Sequence, residues 1–556
     1  MLLLSAIVTV PLASLLWVVL CAQLVQPKFA LKRASVGFLH PSCAGGGGGE
    51  RVLWCAVRAV IAEASSLLDC DRKSSEPSRN AVESARVWIY TRRYRSSPEA
   101  LRSFVAARLA EQFGAASFSD AVGVVRFMPL YTAVLLDPHL YPCFTMLLQL
   151  LAGMFVAAEI VLRHAALRAR RFLQTIAVWS RVSGTDAVEA EVLPSVVLDT
   201  MGIPLALLCL KWWTLGRIRT GAYVHYPLVS SEMMMQARER ARGALRSVWW
   251  TGRFAYYRSV LLPLYARCGA ATDIVMANSS WTRDHMKRLW CRGDEQQVCQ
   301  MRKRDETNAI HLVFPPCGPA RTGTTLPTLD TKHLRQRIVS IAQFRPEKKH
   351  EMQIECFAVL RRRYPRETQH TRLVIMGGAR NEADQARAER LCQRAAALED
   401  NAFGEERVQI RINVPRDELE RALRGDFGCF LHTMEEEHFG ISIVEAMFSG
   451  LVVIAHASGG AAHDILRPES SDEPLGFLYK TQDELIERLA DVLFRVPIAT
   501  LQAIQARARM RAQTMFSDEA FNSRFLRALA SLNAKSSLFS ADSDRHRAVP
   551  GTSAAR

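Results

Sequence analysis

The chain has 556 residues, 49% hydrophobic and 23% charged, with a formal net charge of +16, the composition of a globular protein with some membrane character and two or three domains. The charge calls for an anionic surface or ligand. With no aromatic-interleaved basic motif and no zinc pattern, nucleic acid is set aside in favour of an anionic membrane leaflet or a diphosphate-bearing lipid. The thirteen cysteines contain no CxxC pair and read as reduced thiols of a cytosolic protein.

Residues 1–27 are uncharged and long enough to cross the hydrocarbon as a helix. No Lys or Arg precedes the apolar run, while Lys28, Lys32 and Arg33 follow it. This reads as an uncleaved single-pass anchor with the body in the cytosol, where the acceptor sequence at Asn278 would stay unmodified. From residue 34 to about 325, VGFLHP, VLWCAVRAVIAEA and RVWIYT predict strand, helix and strand of a doubly wound α/β domain. Five glycines, Gly45 to Gly49, stand between the first strand and its helix, where backbone could approach an anion. Asp69 to Ser84 reads as a polar surface insertion, and Asp69-Cys70-Asp71 within it is a poor setting for a metal-binding carboxylate pair. Pro142 to Leu162 is nearly long enough to span a membrane, but Glu159 argues against a simple span. A half-buried helix lying on the bilayer is the preferred reading, with a core helix as the alternative. SVVLDTMG, TGAYVHYP and TDIVMANSS are strands whose polar endings are candidate site positions, His225 among them, although a lone histidine is more often structural.

Proline and polar residues from Phe314 to Lys332 mark a hinge. A second α/β pattern occupies 333–500: RIVSIAQF, a helix Glu351 to Tyr364, TRLVIMGG, a charged helix to about Ala397, VQIRINV and GDFGCFLHT. Arg345, Lys348 and Lys349 lie just beyond its first strand; taken alone they read as a solvated basic turn, and in this setting they could neutralise a diphosphate leaving group without a metal. EHFGISIVEAMFSGLVVIAHASGG follows the fourth. Its Glu437 and Glu445 are eight positions apart, which on a helix brings them within roughly 80° of each other, so that both could reach one elongated ligand such as a sugar diphosphonucleoside. Residues 501–533 read as basic helices and 534–556 as a disordered tail.

Together, GGGGERVLWCAV, YVHYP, MANSSWT, SIAQFRPEKKH, LVIMGG and LHTMEEEHFGISIVEAMFSGLVVIAHASGG resemble the α-1,2-mannosyltransferases that extend trimannosyl-chitobiosyl diphosphodolichol, members of retaining glycosyltransferase family 4. The resemblance runs from about Val36 to Leu478. It implies a GT-B fold, two Rossmann-like domains facing a cleft, with GDP-mannose as donor and no cofactor or metal. It further implies addition of the fourth and fifth mannoses at the cytosolic face of the endoplasmic reticulum membrane, with other glycosyltransferases of the pathway as candidate partners. Carried over by position, Glu445 binds the ribose and Glu437 the mannose hydroxyls. Arg345 and Lys348 hold the diphosphate with the backbone of Phe439, Gly440 and Ile441; Gly377 and Gly378 belong to the donor site. Gly46, Gly47, Gly48 and Gly49 form a phosphate or acceptor loop, and His225 sits beside the anomeric centre. The chain departs from the family pattern at Ala342-Gln343, where Gly-Arg is usual, at Glu435-Glu436, which replace Trp-Asn, and at Ala461, where proline is common. Two other readings stand beside this one: a sibling membrane-bound transferase with another nucleotide sugar or lipid acceptor, and an inactive scaffold of a glycosylation complex.

Overall fold

The computed structural model describes residues 35–71, 87–95, 97–113, 118–179, 194–229, 231–242, 248–290, 310–318, 335–398, 407–425, 427–467 and 473–545. The anchor at 1–27 lies outside them, as do most of the insertion at 69–84, residues 180–193, residues 319–332 of the predicted hinge and the end of the tail. The described chain falls into two compact units. One runs up to Ala277 and adds Thr282–Val313 and the chain from Asn522 onward; the other is Asn278–Trp281 with Phe314–Phe521.

The first unit is built on seven parallel strands: β1 (Val36–Leu39), β2 (Val87–Arg92), β3 (Arg126–Leu130), β4 (Val196–Asp199), β5 (Arg219–Val224), β6 (Ile274–Ala277) and β7 (His311–Leu312). Their order is β3-β2-β1-β4-β5-β6-β7. Val36 pairs with Val87 on one side and Val196 on the other, so β1 is covered by strands on both edges. Its VGFL sequence is accordingly apolar at every position, as expected for a parallel strand buried on both faces. The sequence reading contains no β3. Pro129 interrupts its pattern, and a proline is tolerated here because β3 is an edge strand.

The predicted membrane-lying segment forms the start of a 35-residue helix, Thr145–Trp179. Its Val156, Ala157, Ile160 and Val161 are fully buried in the core of this unit with Leu205, Ala206 and Leu207 of the helix Pro204–Trp213. Met154 and Phe155 are exposed. Thr145–Leu167 is, among the described residues, the one helix long and apolar enough to cross a membrane. Glu159 is engaged locally. It accepts hydrogen bonds from the N–H groups of Tyr131 (2.9 Å) and Thr132 (2.8 Å) and the Thr132 hydroxyl (2.7 Å), and pairs with Arg163 at 2.8 Å. A carboxylate on an apolar helix is stable here because its oxygens are occupied.

The second unit has six parallel strands: β8 (Arg337–Ile341), β9 (Arg372–Gly377), β10 (Val408–Ile412), β11 (Cys429–His432), β12 (Val452–His456) and β13 (Phe477–Tyr479). Their order is β10-β9-β8-β11-β12-β13. Ile338, Leu373, Ile375, Leu431 and Ile454 fill its core with Phe357 and Leu360 of the helix His350–Arg363. In both sheets the strand order reverses beside the first strand, between β1 and β4 and between β8 and β11, the position where open α/β sheets bind ligands.

The region read as basic helices is two helices, Ile498–Phe516 and Asp518–Arg545, parted at Ser517. The second runs eleven residues past the point where the tail was predicted to begin, and it starts in one unit and continues in the other.

Candidate active site

In the second unit, the loop after β8 and the loop after β11 meet at the reversal point. Arg345 caps a short turn, Pro346–Lys348, and Lys349 follows in a left-handed conformation that turns the chain into the helix His350–Arg363. The turn is tied to β11 by Thr433, whose hydroxyl donates to the Lys348 carbonyl at 2.6 Å and accepts from Gln353 Nε2 at 2.6 Å. Lys348 Nζ then donates to Glu437 Oε2 at 2.6 Å, and His432 Nε2 lies 3.0 Å from the same oxygen. Burial of Glu437 favours the neutral acid, but the His432 contact and the Lys348 ammonium outweigh it and hold the carboxyl well below its ordinary range. The neighbouring cations are paired too: Arg345 Nη1 is 3.6 Å from Glu347, and Lys349 donates to Glu435. A polyanion entering this loop would exchange carboxylate partners for phosphate oxygens and would not have to desolvate bare cations.

Glu437 precedes the helix Ile441–Phe448, whose N-cap is Gly440, and Glu445 is on it. The expected single helical face carrying both carboxylates is therefore absent. What holds Glu437 is the backbone of the next loop. The Gly460 N–H donates to the Glu437 carbonyl at 2.7 Å. A Cβ at Gly459 would come within 2.3 Å of that carbonyl oxygen, and one at Gly460 within 2.7 Å of Phe439 Cα. Phe439 is buried and anchors the loop from below, stacking on Phe314 at 5.8 Å and meeting Phe516 edge-on at 5.4 Å. Gly440 and Ile441 stand at the helix start, where the first N–H groups have no intrahelical acceptor.

Glu445 is half-buried and pairs with Arg416 at 3.1 Å. Arg416 also binds Glu420 at 3.0 Å. Burial disfavours its charge, and the two carboxylates more than restore it. Nothing in the RDELERA segment singled Arg416 out; only the packing of its helix beside Glu445 does. His432 and Thr433 were likewise read as the end of a strand and no more.

Gly377 ends β9 and Gly378 follows it. A Cβ at Gly377 would lie 2.1 Å from the Ala342 carbonyl oxygen and 3.0 Å from the Phe344 ring, so this glycine lets the Lys348 loop pass across β9. Gly377→Ala is expected to lower stability by about 1–3 kcal/mol through overpacking, read as a reduced midpoint in urea unfolding.

In the first unit the glycine run leads into the helix Gly48–Asp71. The Gly47 N–H donates to Glu50 Oε2 at 2.9 Å, the reciprocal arm of a capping box, so the phosphate-cradle reading meets a carboxylate already in place. Gly46 has φ 139°, and Gln112 packs over it. Glu50 Oε1 is 3.8 Å from His40 Nε2, and His40 Nδ1 is 2.7 Å from the Thr200 hydroxyl, which joins the ends of β1 and β4. Gly48 and Gly49 begin the helix, and a Cβ at Gly49 would sit 3.7 Å from His225 Nε2. Burial, aided by His40, pushes the His225 imidazole down to about 4, so it is neutral at physiological pH. Asp69 and Asp71 fall at the end of this helix and not in a loop.

Residues 33–176 and 171–290 match the family described as ALG11 mannosyltransferase N-terminus, and residues 329–507 match Glycosyl transferases group 1. The GDP-Man:Man(3)GlcNAc(2)-PP-Dol alpha-1,2-mannosyltransferase of Homo sapiens is 30% identical over 510 residues, covering 89% of this chain and 87% of that protein. The Mus musculus protein of the same name is 31% identical over 507 residues, covering 88% and 85%. The chain belongs to this mannosyltransferase family. Among solved structures it is similar to an alpha,alpha-trehalose-phosphate synthase (UDP-forming) from Burkholderia vietnamiensis, with a TM-score of 0.55, 11% identity and coverage of 91% of this chain and 99% of that one. It is also similar to Anabaena Alr3699/HepE in complex with UDP-glucose, with a TM-score of 0.51, 13% identity and coverage of 90% and 100%. At such identities the likeness concerns the fold, which is the GT-B fold of two Rossmann-like sheets.

Within this chain's MANSSW segment, the structure reveals a supporting role that the sequence did not. Asn278–Trp281 belongs to the second unit. The Ser280 N–H and hydroxyl both donate to Asp464, at 2.8 and 2.6 Å, and the Trp281 indole N–H donates to Glu436 while its ring lies 4.9 Å from that of His438. The segment thus buttresses the Glu437 loop. Glu436 has φ 50° and is held from both ends, its own N–H donating to Ser458 Oγ at 2.8 Å.

Proposed function

We propose that this chain transfers mannose from GDP-mannose in α-1,2 linkage to a dolichol-diphosphate oligosaccharide, adding the fourth and fifth mannoses of the N-glycan precursor. It acts at the cytosolic face of the endoplasmic reticulum, with retention of configuration and without a metal. The observation that carries the site assignment is the meeting of Lys348 and Glu437, 89 residues apart in sequence, at the reversal point of the second sheet. Two loops that supply a cation and a sugar-hydroxyl acceptor at 2.6 Å suit a ligand with a diphosphate joined directly to a sugar.

In this reading, donor binding draws Lys348 and Arg345 onto the diphosphate, aided by the N–H groups of Phe439, Gly440 and Ile441 at the helix start. Glu437 turns to the mannose hydroxyls, and Glu445, steadied by Arg416, takes the ribose. Neutral His225 offers hydrogen bonds to the transferred sugar without a charge that would repel a developing oxocarbenium ion. The leaving phosphate accepts the acceptor's proton on the front face.

The test is direct. Microsomes carrying the protein are expected to extend a trimannosyl-chitobiosyl diphosphate lipid by two mannoses with GDP-mannose, and its depletion to leave three- and four-mannose intermediates. Preference for another nucleotide sugar in a donor competition would overturn the donor, and the absence of any turnover would overturn the enzyme reading.

A further inference from the structure

A cavity of about 680 Å³ opens in the first unit between Pro142, Phe144 and Met146 on one side and Gly252, Tyr256 and Tyr257 on the other. Three features set it apart from an ordinary gap in packing. Phe144 has φ 52°, a left-handed conformation that bulky aromatics rarely adopt; the residue is 59% exposed, with its ring edge-on to Tyr256 at 5.3 Å. The opposite wall changes from α-helix to a π-helical turn at Tyr257–Leu261, a local widening that recurs at functional sites. Arg253 is fixed in the wall, donating to the Tyr257 hydroxyl at 2.8 Å with its guanidinium 5.3 Å from the centres of both the Trp250 and Tyr257 rings. Strain at Phe144 persists only if its surroundings demand it, and here it holds an aromatic ring at the mouth of an apolar cavity.

We propose that this cavity receives the first isoprene units of the acceptor's lipid chain, with Arg253 facing the diphosphate end. The proposal rests on the acceptor named above. Aromatic and apolar walls suit an unsaturated hydrocarbon, and a fixed cation at the same wall suits an anionic head on that chain. A cavity also selects one chain, which a flat apolar helix face does not. Phe144 and the nearby exposed Tyr131, Val134 and Leu140 give the chain an apolar apron between bilayer and cavity.

The test uses the full-length membrane-bound protein and Gly252→Trp. A Cβ at Gly252 meets no heavy atom within 4 Å, so the indole can occupy the cavity without straining the helix. Transfer is measured onto trimannosyl-chitobiosyl diphosphate carried by dolichol or by a methyl group, which brings no isoprene unit to the cavity. The wild type is expected to prefer the dolichyl acceptor, and the variant to lose about tenfold of that preference in kcat/KM, the equivalent of roughly two buried methylene groups. An unchanged ratio with intact transfer overturns the cavity assignment alone, whereas a wild type that extends neither acceptor overturns the functional reading. Photoreactive farnesyl diphosphate provides a readout independent of turnover. It should label residues 142–146 and 252–257 in the wild type and fail to do so in Gly252→Trp. Equal labelling of these peptides by a photoreactive phosphatidylcholine would assign the cavity to bulk phospholipid and overturn the proposal.

Discussion

Glu437→Gln is expected to lower mannose transfer by about 10³-fold while leaving GDP affinity close to wild type. Glutamine keeps the shape of the side chain but removes the charge that Lys348 and His432 converge on. GDP carries no mannose, so a residue acting on the sugar hydroxyls contributes little to its binding. Lys348→Ala should differ in kind. It removes the cation assigned to the diphosphate and leaves Glu437 buried beside His432 alone, so both GDP affinity and transfer fall. Measuring GDP binding and single-turnover transfer on the two variants separates the roles. Wild-type transfer by Glu437→Gln would remove this residue from the site.

The same carboxylate makes a stability prediction. Its folded pKa lies below the ordinary value of 4.5, so it contributes stability that is present above that value and lost as pH falls through the acid range. Glu437→Gln should therefore flatten the acid side of the stability profile of the second unit.

Gly460→Val is the second large effect expected. Its side chain would meet the Phe439 carbonyl oxygen and Cα, both at 2.7 Å, and the His438 carbonyl oxygen at 2.8 Å. These are backbone atoms of a loop pinned beneath by Phe439, so the loop must shift as a body and carry Glu437 with it. A misplacement of about 1 Å costs roughly a hundredfold in rate. Transfer should fall by that order and GDP binding should weaken with it, because the Phe439–Ile441 N–H groups assigned to the diphosphate move with the loop. Gly459→Ala adds backbone strain at φ 59° of about 1–2 kcal/mol and should also lower the unfolding temperature. A Gly460→Val variant with wild-type transfer would show that the loop contact does not position Glu437.

Most of the strands were legible because a parallel strand buried on both faces leaves an unbroken apolar run, as in VGFL and CFLH. β3 was not, since its edge position tolerates Pro129, and the two-residue β7 is too short to leave a pattern. The glutamates of the second-unit motif were legible as a pair but misplaced as a geometry. A positive-φ Gly440 stops the helix from reaching back to Glu437, and eight-residue spacing does not reveal where a helix begins. Gly377 and Gly47 were legible as glycines and not as causes. One makes room for the Ala342 carbonyl, and the other gives its N–H to Glu50.

By itself the sequence determined the two α/β halves, the cations after β8, the acidic motif after β11 and the family. Each is a local pattern of burial or a string of residue types within one segment. Tertiary structure alone decided that β8 and β11 are neighbours, that Lys348 therefore meets Glu437, and that Arg416, His432 and Trp281 stand behind the motif. The physical reason is that periodicity records which face of a segment is buried but not by what. Strand order, fixed by packing across the whole sheet and by the hand of its crossovers, chooses which distant loops share a site.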